Sequence, residues 1–329
     1  MKIIAVDDDG VSLDLLKECL SEGGYEHLTL MSSPTEALNA ITNTAIAYDC
    51  ILLDVEMPEK DGIELCGDIR RLPRYRNTPI LMITRNKDRD AVQQAFANGA
   101  TDYITKPFEF FEVLTRIKVA ERLVQERQAA IDSYIAVQNV TARKPETAQM
   151  SITRKPDLPL TDEQLQITGK ELLSLSVFQN YLEQVTRADG CQINLIALKI
   201  RNIDRIFANT GAAEFVKFLK TAAGAITHEF RPEKAFLTHL GNGMFLCATP
   251  GIEAFDASVV ETGIVRRMER QDLPQVCRKE VPLEIITGAP LELGTTPKLN
   301  FKRAVKAATA RAEQRDNAIG HVGLSMLAG

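Results

Sequence analysis

Five short apolar runs alternate with amphipathic stretches through the first 120 residues, and few folds can accommodate that alternation. The runs are "KIIAV", "HLTLM", "CILLD", "PILMIT" and "TDYIT". Each has the length of a buried strand. Between them lie "VSLDLLKECLSEG", "SPTEALNAITN", "GIELCGDIRRL" and "DRDAVQQAFANGA", which read as helices. In the first of these, Leu15, Leu16, Cys19 and Leu20 are expected to share one helical face. Ser33 ahead of Pro34 reads as an N-cap followed by proline at the first helical position. Repeated strand-then-helix units imply an α/β domain, a doubly wound parallel five-stranded sheet with helices on both faces. Sites in such sheets lie at the carboxyl ends of the strands.

Those ends carry polar residues that buried strands do not require. "IIAVDDD" ends in Asp7, Asp8 and Asp9, "CILLDVEMPEKDG" in Asp54, "LMITRN" in Thr84 and "YITKPF" in Lys106. Carboxylates gathered at one sheet edge repel one another unless a cation sits among them, and hard oxygen ligands suit Mg²⁺. A cation on one side of a carboxylate, with a lysine and a hydroxyl on the other, is what phosphoryl transfer needs.

Residues 1–124 resemble the receiver domain of a two-component response regulator, which has a flavodoxin-like fold. The resemblance rests on "VDDD", "DCILLDVEMPEKDG", "MIT" and "GATDYITKPF". It implies that Asp54 is the phospho-acceptor and that Asp7 and Asp8 hold the Mg²⁺. It implies that the backbone carbonyl of Glu56 completes the metal shell. Thr84 and Lys106 would sense and hold the phosphoryl group, Tyr103 would be the aromatic switch, and Lys106-Pro107 would be a cis peptide. Arg85 stands where the family usually has a small residue.

From Phe110 to about Val140 there is neither glycine nor proline. Leu114, Ile117, Val124, Ile131 and Ile135 form a loose stripe interrupted by Glu121 and Gln128. The helix either packs on its own domain or projects and pairs with a second copy. Residues 125–160 are expected to be a helical extension and a polar, Pro-containing linker. A second domain then occupies 161–329.

That domain reads as helix, strand, two helical pieces, a hairpin in "KAFLTHLGNGMFLCATP", another strand region in "PLEIITGAPLEL" and a late helix in "FKRAVKAATARAEQR". The order implies an α+β sandwich with a largely antiparallel sheet. It is similar to a GGDEF (diguanylate cyclase) domain over roughly residues 165–325. On that resemblance the signature falls on Gly241, Asn242, Gly243, Met244 and Phe245, and the metal-binding acids fall on Lys199 and Arg201. The inhibitory R-x-x-D stretch should end near Ala235, where "RPEK" does not match. Carboxylates are needed to hold two metals for cyclase chemistry, so the resemblance implies a degenerate, catalytically inactive domain. A hairpin kept for its fold, retained nucleotide binding, and an active cyclase are the three readings.

Charge separates the halves. Residues 1–124 carry 14 basic and 21 acidic side chains, hence −7, and the remainder 25 and 23, hence +2. Neither is basic enough for a nucleic-acid binder, and no basic helix-turn-helix pattern is present, so DNA is not an expected partner. No run of about 18 apolar residues is present and the N-terminus is not a signal peptide, so a cytoplasmic protein without membrane contact is expected. The six scattered cysteines read mostly as reduced core residues. The expected partners are a histidine kinase or phosphotransfer protein, a second copy through the receiver and long helix, and an unidentified downstream protein.

Overall fold

A computed structural model of the chain divides into two compact units, Met1–Asp157 and Leu158–Gly329. It describes residues 1–85, 89–141, 172–187, 192–230, 234–251, 255–271, 273–274, 277, 281–296 and 299–326.

The first unit holds β1 (Lys2–Val6), α1 (Gly10–Glu22), β2 (His27–Met31), α2 (Pro34–Asn43), β3 (Cys50–Asp54), α3 (Gly62–Arg71), β4 (Ile80–Thr84), α4 (Arg89–Ala97), β5 (Asp102–Thr105) and α5 (Phe110–Thr141). The strands form one parallel sheet in the order β2-β1-β3-β4-β5. On one face Ile3, Ala5, Leu52 and Ile83 pack with Leu16 and Leu20 of α1 and Val113 and Ile117 of α5. On the other, Ile4, Leu53 and Met82 are equally buried. Burial on both faces explains why these strands are continuous apolar runs. Ser33 caps α2 by accepting from the Glu36 amide, with Pro34 in the first turn.

Leu15 departs from expectation. It is 43% exposed, and the buried face of α1 is Leu13, Leu16, Cys19 and Leu20. A helix advances about 100° per residue, which carries Leu15 off the line set by Leu13, Leu16 and Leu20.

Arg70 ties together the end of the sheet remote from Asp54. Its Nε donates to the Gly99 carbonyl at 2.8 Å, Nη1 to the carbonyls of Tyr75 and Thr78 at 2.6 Å each, and Nη2 to Thr101 Oγ1 at 3.3 Å. Every acceptor is neutral. Arg70→Met is expected to cost about 2–4 kcal/mol in urea unfolding, because four charge-assisted bonds are lost at once. A loss within experimental scatter would show that water replaces the guanidinium freely.

Helix α5 runs 32 residues without a break. Val113, Ile117 and Ala120 are buried, and no described side chain beyond Ala120 is. Glu121, which interrupts the apolar stripe, accepts a hydrogen bond from the Tyr25 hydroxyl at 3.1 Å. The stripe positions Ile131 and Ile135 lie outside the side chains described, as do residues 142–160 of the expected linker and Thr161.

The second unit contains α6 (Leu175–Val185), β6 (Ile193–Ile200), α7 (Ile203–Ala208), α8 (Ala212–Glu229), β7 (Phe236–Gly241), β8 (Met244–Pro250), α9 (Ala257–Glu269), β9 (Ile285–Thr287), β10 (Leu291–Leu293) and α10 (Phe301–Met326). Its sheet is antiparallel, with β6 between β8 and the broken edge β9–β10, and β7 beyond β8. This is the β-α-β-β-α-β order of a split βαβ sandwich. Ile196, Leu198 and Ile200 face the core under α7, α8 and α9, with Phe218, Ile226 and Ile264. Alternation along β6 sends Leu195, Ala197 and Lys199 to the opposite face.

The β7–β8 loop has two residues, with φ of 49° at Asn242 and 68° at Gly243. Both central residues of a type I′ hairpin turn need positive φ. A Cβ at Gly243 would also meet Ile203 Cγ1 at 3.0 Å, so both the backbone angle and the close side chain favour glycine there.

Candidate functional site

Parallel pairing brings the carboxyl ends of β1, β3, β4 and β5 to one edge of the first sheet. There the structure gathers Asp7, Asp8, Asp54 and Lys106. One carboxylate oxygen from each of Asp7, Asp8 and Asp54 lies within 4.8 Å of the others. Asp7 and Asp54 are buried and Asp8 is exposed. Lys106 Nζ reaches Asp7 Oδ2 at 2.7 Å and Asp54 Oδ1 at 3.0 Å. Thr84 closes β4 and is fully buried; Tyr103 in β5 is 1% exposed. The Lys106-Pro107 peptide is cis. Glu56 follows in the turn after β3 with its side chain exposed, and Arg85 is exposed just past Thr84.

The three consecutive aspartates have different jobs. Asp9 is the N-cap of α1: its carboxylate accepts from the Val11 amide at 3.0 Å and the Ser12 hydroxyl at 3.2 Å. The bond from Val11 holds its pKa below the ordinary value. Asp7 accepts from the Asp9 amide at 3.0 Å on one oxygen and from Lys106 on the other. Asp8 presents its carboxylate outward beside both.

Burial pushes the Asp54 carboxyl up to about 6, and the neighbouring charges of Asp7 and Asp8 push the same way against Lys106. Burial alone would lower the Lys106 ammonium, but its bonds to Asp7 and Asp54 outweigh that and hold it above its usual value. Among the described residues the three carboxylates thus have Lys106 as their paired counter-charge. All three present hard oxygen atoms, so the set fits Mg²⁺.

Gly62 was not singled out from the sequence, yet the site depends on it. Its amide donates to the Val55 carbonyl at 3.0 Å, folding the β3–α3 turn back on the strand. A Cβ there would lie 1.9 Å from the Asp54 carbonyl oxygen. The signal available in sequence was the Asp61-Gly62 pair that starts α3, with Asp61 capping through the Glu64 amide at 2.7 Å.

In the second unit the β6–β8 register sets Lys199 directly opposite Met244. The Ile200 amide donates to the Gly243 carbonyl at 2.9 Å. Both cations are engaged within the chain, Lys199 with Asp316 and Arg201 with Asp316 and Glu284. Residues 231–233, where the inhibitory stretch was expected to begin, lie outside the described residues.

Residues 3–118 match the response regulator receiver domain family. The response regulator MprA of Mycobacterium leprae is 30% identical over 217 residues, covering 58% of this chain and 91% of MprA. The transcriptional regulatory protein KdpE of Staphylococcus aureus is 35% identical over 127 residues, covering 39% of this chain and 52% of KdpE, so the chain spans about half the length of that relative. Among solved structures, a putative response regulator from Chloroflexus aurantiacus is 36% identical, covering 36% of this chain and 95% of that one, with a TM-score of 0.34.

Proposed function

Since the chain belongs to the response regulators and carries their receiver domain at its N-terminus, we propose that it is a phospho-accepting switch in a two-component phosphorelay, signalling through a catalytically silent second domain. The observation that carries this reading is Lys106 bridging Asp7 and Asp54 at the carboxyl edge of the sheet.

In the proposed reaction an Asp54 oxygen attacks the phosphorus of a partner's phosphohistidine or of a small phosphodonor. A P–O bond forms, the P–N bond breaks, and its electron pair leaves with the imidazole, which takes up a proton. Mg²⁺, held by Asp7, Asp8, Asp54 and the Glu56 carbonyl, would neutralise charge on the phosphoryl oxygens. Lys106 exchanges one carboxylate contact for a phosphoryl oxygen, and the Thr84 hydroxyl donates to another. Tyr103, beside them in the sheet, transmits the change to the face formed by β4, β5 and their helices.

A protein donor would dock where apolar side chains are left exposed beside the site. Val11 and Leu15 of α1 are 68% and 43% exposed, and Phe111 at the start of α5 is 81% exposed. The two helices meet where Cys19 Sγ contacts the Phe110 carbonyl at 3.6 Å. Phe111→Ala is expected to slow transfer from a phosphohistidine protein roughly tenfold, as loss of an interface anchor does, and to leave labelling by a small phosphodonor unchanged. Equal slowing with both donors would place Phe111 in the site's own structure.

The second domain is proposed to be GGDEF-like and to act by protein contact. The Lys199–Met244 pairing supports this, since it brings together two positions where a cyclase would hold acids. The chain is proposed to be cytoplasmic and to work as a homodimer through the receiver and α5, with nucleotide binding by the second domain as the alternative reading. Among the described residues no helix is long and apolar enough to cross a membrane. KdpE is a transcriptional regulatory protein, and that likeness favours a second reading, action on transcription through DNA. The antiparallel sheet and near-neutral charge of the second unit count against it, and a mobility-shift assay on the phosphorylated chain separates the two. The main test is light scattering with and without beryllofluoride, with GTP turnover followed in the same sample. A change of oligomeric mass and no turnover are expected; conversion of GTP with Mg²⁺ or Mn²⁺ would establish the enzyme reading instead.

A further inference from the structure

Two regular stripes in the second unit end in charged residues, and those ends meet. Along β6, Leu195, Ala197 and Lys199 face the same way, and Arg201 follows at the same spacing. Along α10, which packs across β6, Ala304, Ala308 and Ala312 are buried at 7%, 1% and 0% exposure. The next position in that i+4 series is Asp316. Small side chains bring the helix close: a Cβ on Gly288, between β9 and β10, would lie 2.7 Å from the Ala312 amide nitrogen.

Asp316 is hydrogen-bonded by Lys199 and ion-paired with Arg201, whose N–H is not aimed at the buried Asp316 Oδ1. Lys199 Nζ lies 2.7 Å from Oδ2 and Arg201 Nε lies 2.7 Å from Oδ1, while Arg201 Nη1 reaches Glu284 Oε2 at 2.6 Å. A lysine and an arginine converging on one carboxylate place two positive charges where an oxyanion ligand could sit, and the unfilled Oδ1 acceptor shows that Asp316 does not use the arginine's donors fully. Lys199 and Arg201 keep 33% and 26% of their side-chain exposure, against 15% for Asp316. A second clamp fixes the same turn of α10. Arg315 makes a two-point pair with Glu261 of α9, both bonds 3.1 Å, and Glu261 also accepts from the Thr287 amide at 2.7 Å. Between Ala312 and Ile319 the described side chains of the helix are therefore held by ion pairs more than by apolar packing. Its Ile319 walls a groove of about 540 Å³ with Val265, Leu283 and Ile285, and Arg201 lines the same groove.

We propose that Lys199 and Arg201 form an oxyanion-binding site and that Asp316 is its built-in occupant. The ligand class is a phosphate or pyrophosphate group, admitted only when the end of α10 swings away. This rests on and deepens the silent-domain reading, because an occupied site would keep nucleotide phosphates out of the resting chain. It stands on geometry independent of any cyclase likeness.

The test is titration calorimetry of the full chain with inorganic pyrophosphate at low salt. Asp316→Asn keeps the side chain's shape and removes its charge, and it is expected to bind roughly tenfold or more tightly than the unmodified chain. Adding Lys199→Met to it should abolish the gain. No difference between Asp316→Asn and the parent, with both folded by circular dichroism, overturns the proposal. Should the variant not fold, hydrogen exchange on the unmodified chain decides. Millimolar pyrophosphate should speed exchange at residues 313–319 beyond chloride of equal ionic strength, and equal rates refute the internal-ligand reading. Because the probe is a simple anion, failure here leaves phosphorylation at Asp54 untouched.

Discussion

Gly62→Ala is expected to unfold the first unit or to leave it marginal. The added carbon would sit 1.9 Å from the Asp54 carbonyl oxygen and 3.2 Å from the Val55 Cα. Both contacts are with backbone, so no side chain can rotate out of the way. Relief requires moving either β3, which is buried along its whole length, or the start of α3. Overpacking of a rigid core typically costs about 1–3 kcal/mol, and this contact is more severe, so a loss of about 4 kcal/mol or more is expected. Urea unfolding of the variant gives the number. A variant of normal stability with normal phosphoryl acceptance would mean that the β3–α3 turn has far more play than its hydrogen bond to Val55 implies.

Asp54→Asn should act in the opposite direction on stability. Burial raises the folded-state pKa of Asp54 from 3.8 to about 6. The folded chain therefore holds a proton that the unfolded chain has released between those values. Stability accordingly falls as pH rises through that window, and above it the buried charge is a standing cost. Without metal at neutral pH, the neutral amide should make the chain more stable by about 1–3 kcal/mol. Below pH 4 the difference should vanish. Mg²⁺ at about a hundred times its dissociation constant adds about 2.7 kcal/mol to a chain that binds it, so saturating metal should close or reverse the gap. Thermal melts at pH 4 and pH 7.5, with and without Mg²⁺, test all three signs. Asp54→Asn being destabilising at neutral pH in chelator would show that the Lys106 pair outweighs the crowding of acids.

The two predictions rest on features that differ in how far the sequence reveals them. The crowding of Asp7, Asp8 and Asp54 is readable because Asp7 and Asp8 follow one buried strand and Asp54 ends another, and a parallel sheet must bring such ends together. The need for glycine at position 62 depends on how tightly a turn folds back, which no spacing encodes. Leu15 was misassigned since neighbouring apolar residues cannot all lie on one narrow face, and only packing selects among them. Helix α9 left little trace: only Ile264 and Met268 are buried in "ASVVETGIVRRME", too few to show a period. Arg70 was invisible because its partners are three carbonyl oxygens and one hydroxyl, with no acid among them. Asp316 is 117 positions from Lys199, and its role emerges only once Ala304, Ala308 and Ala312 are seen to face β6. The hairpin's glycines were legible from the Gly-Asn-Gly pattern alone, because positive φ at a two-residue turn leaves few other choices.

The most direct measurement of the central claim is intact-mass and peptide analysis of the full chain after exposure to a small phosphodonor with Mg²⁺. One phosphoryl group on Asp54, lost in Asp54→Asn and in the presence of chelator, is the predicted result. Equal labelling of Asp54→Asn at the same peptide, or labelling that ignores the metal, would contradict it.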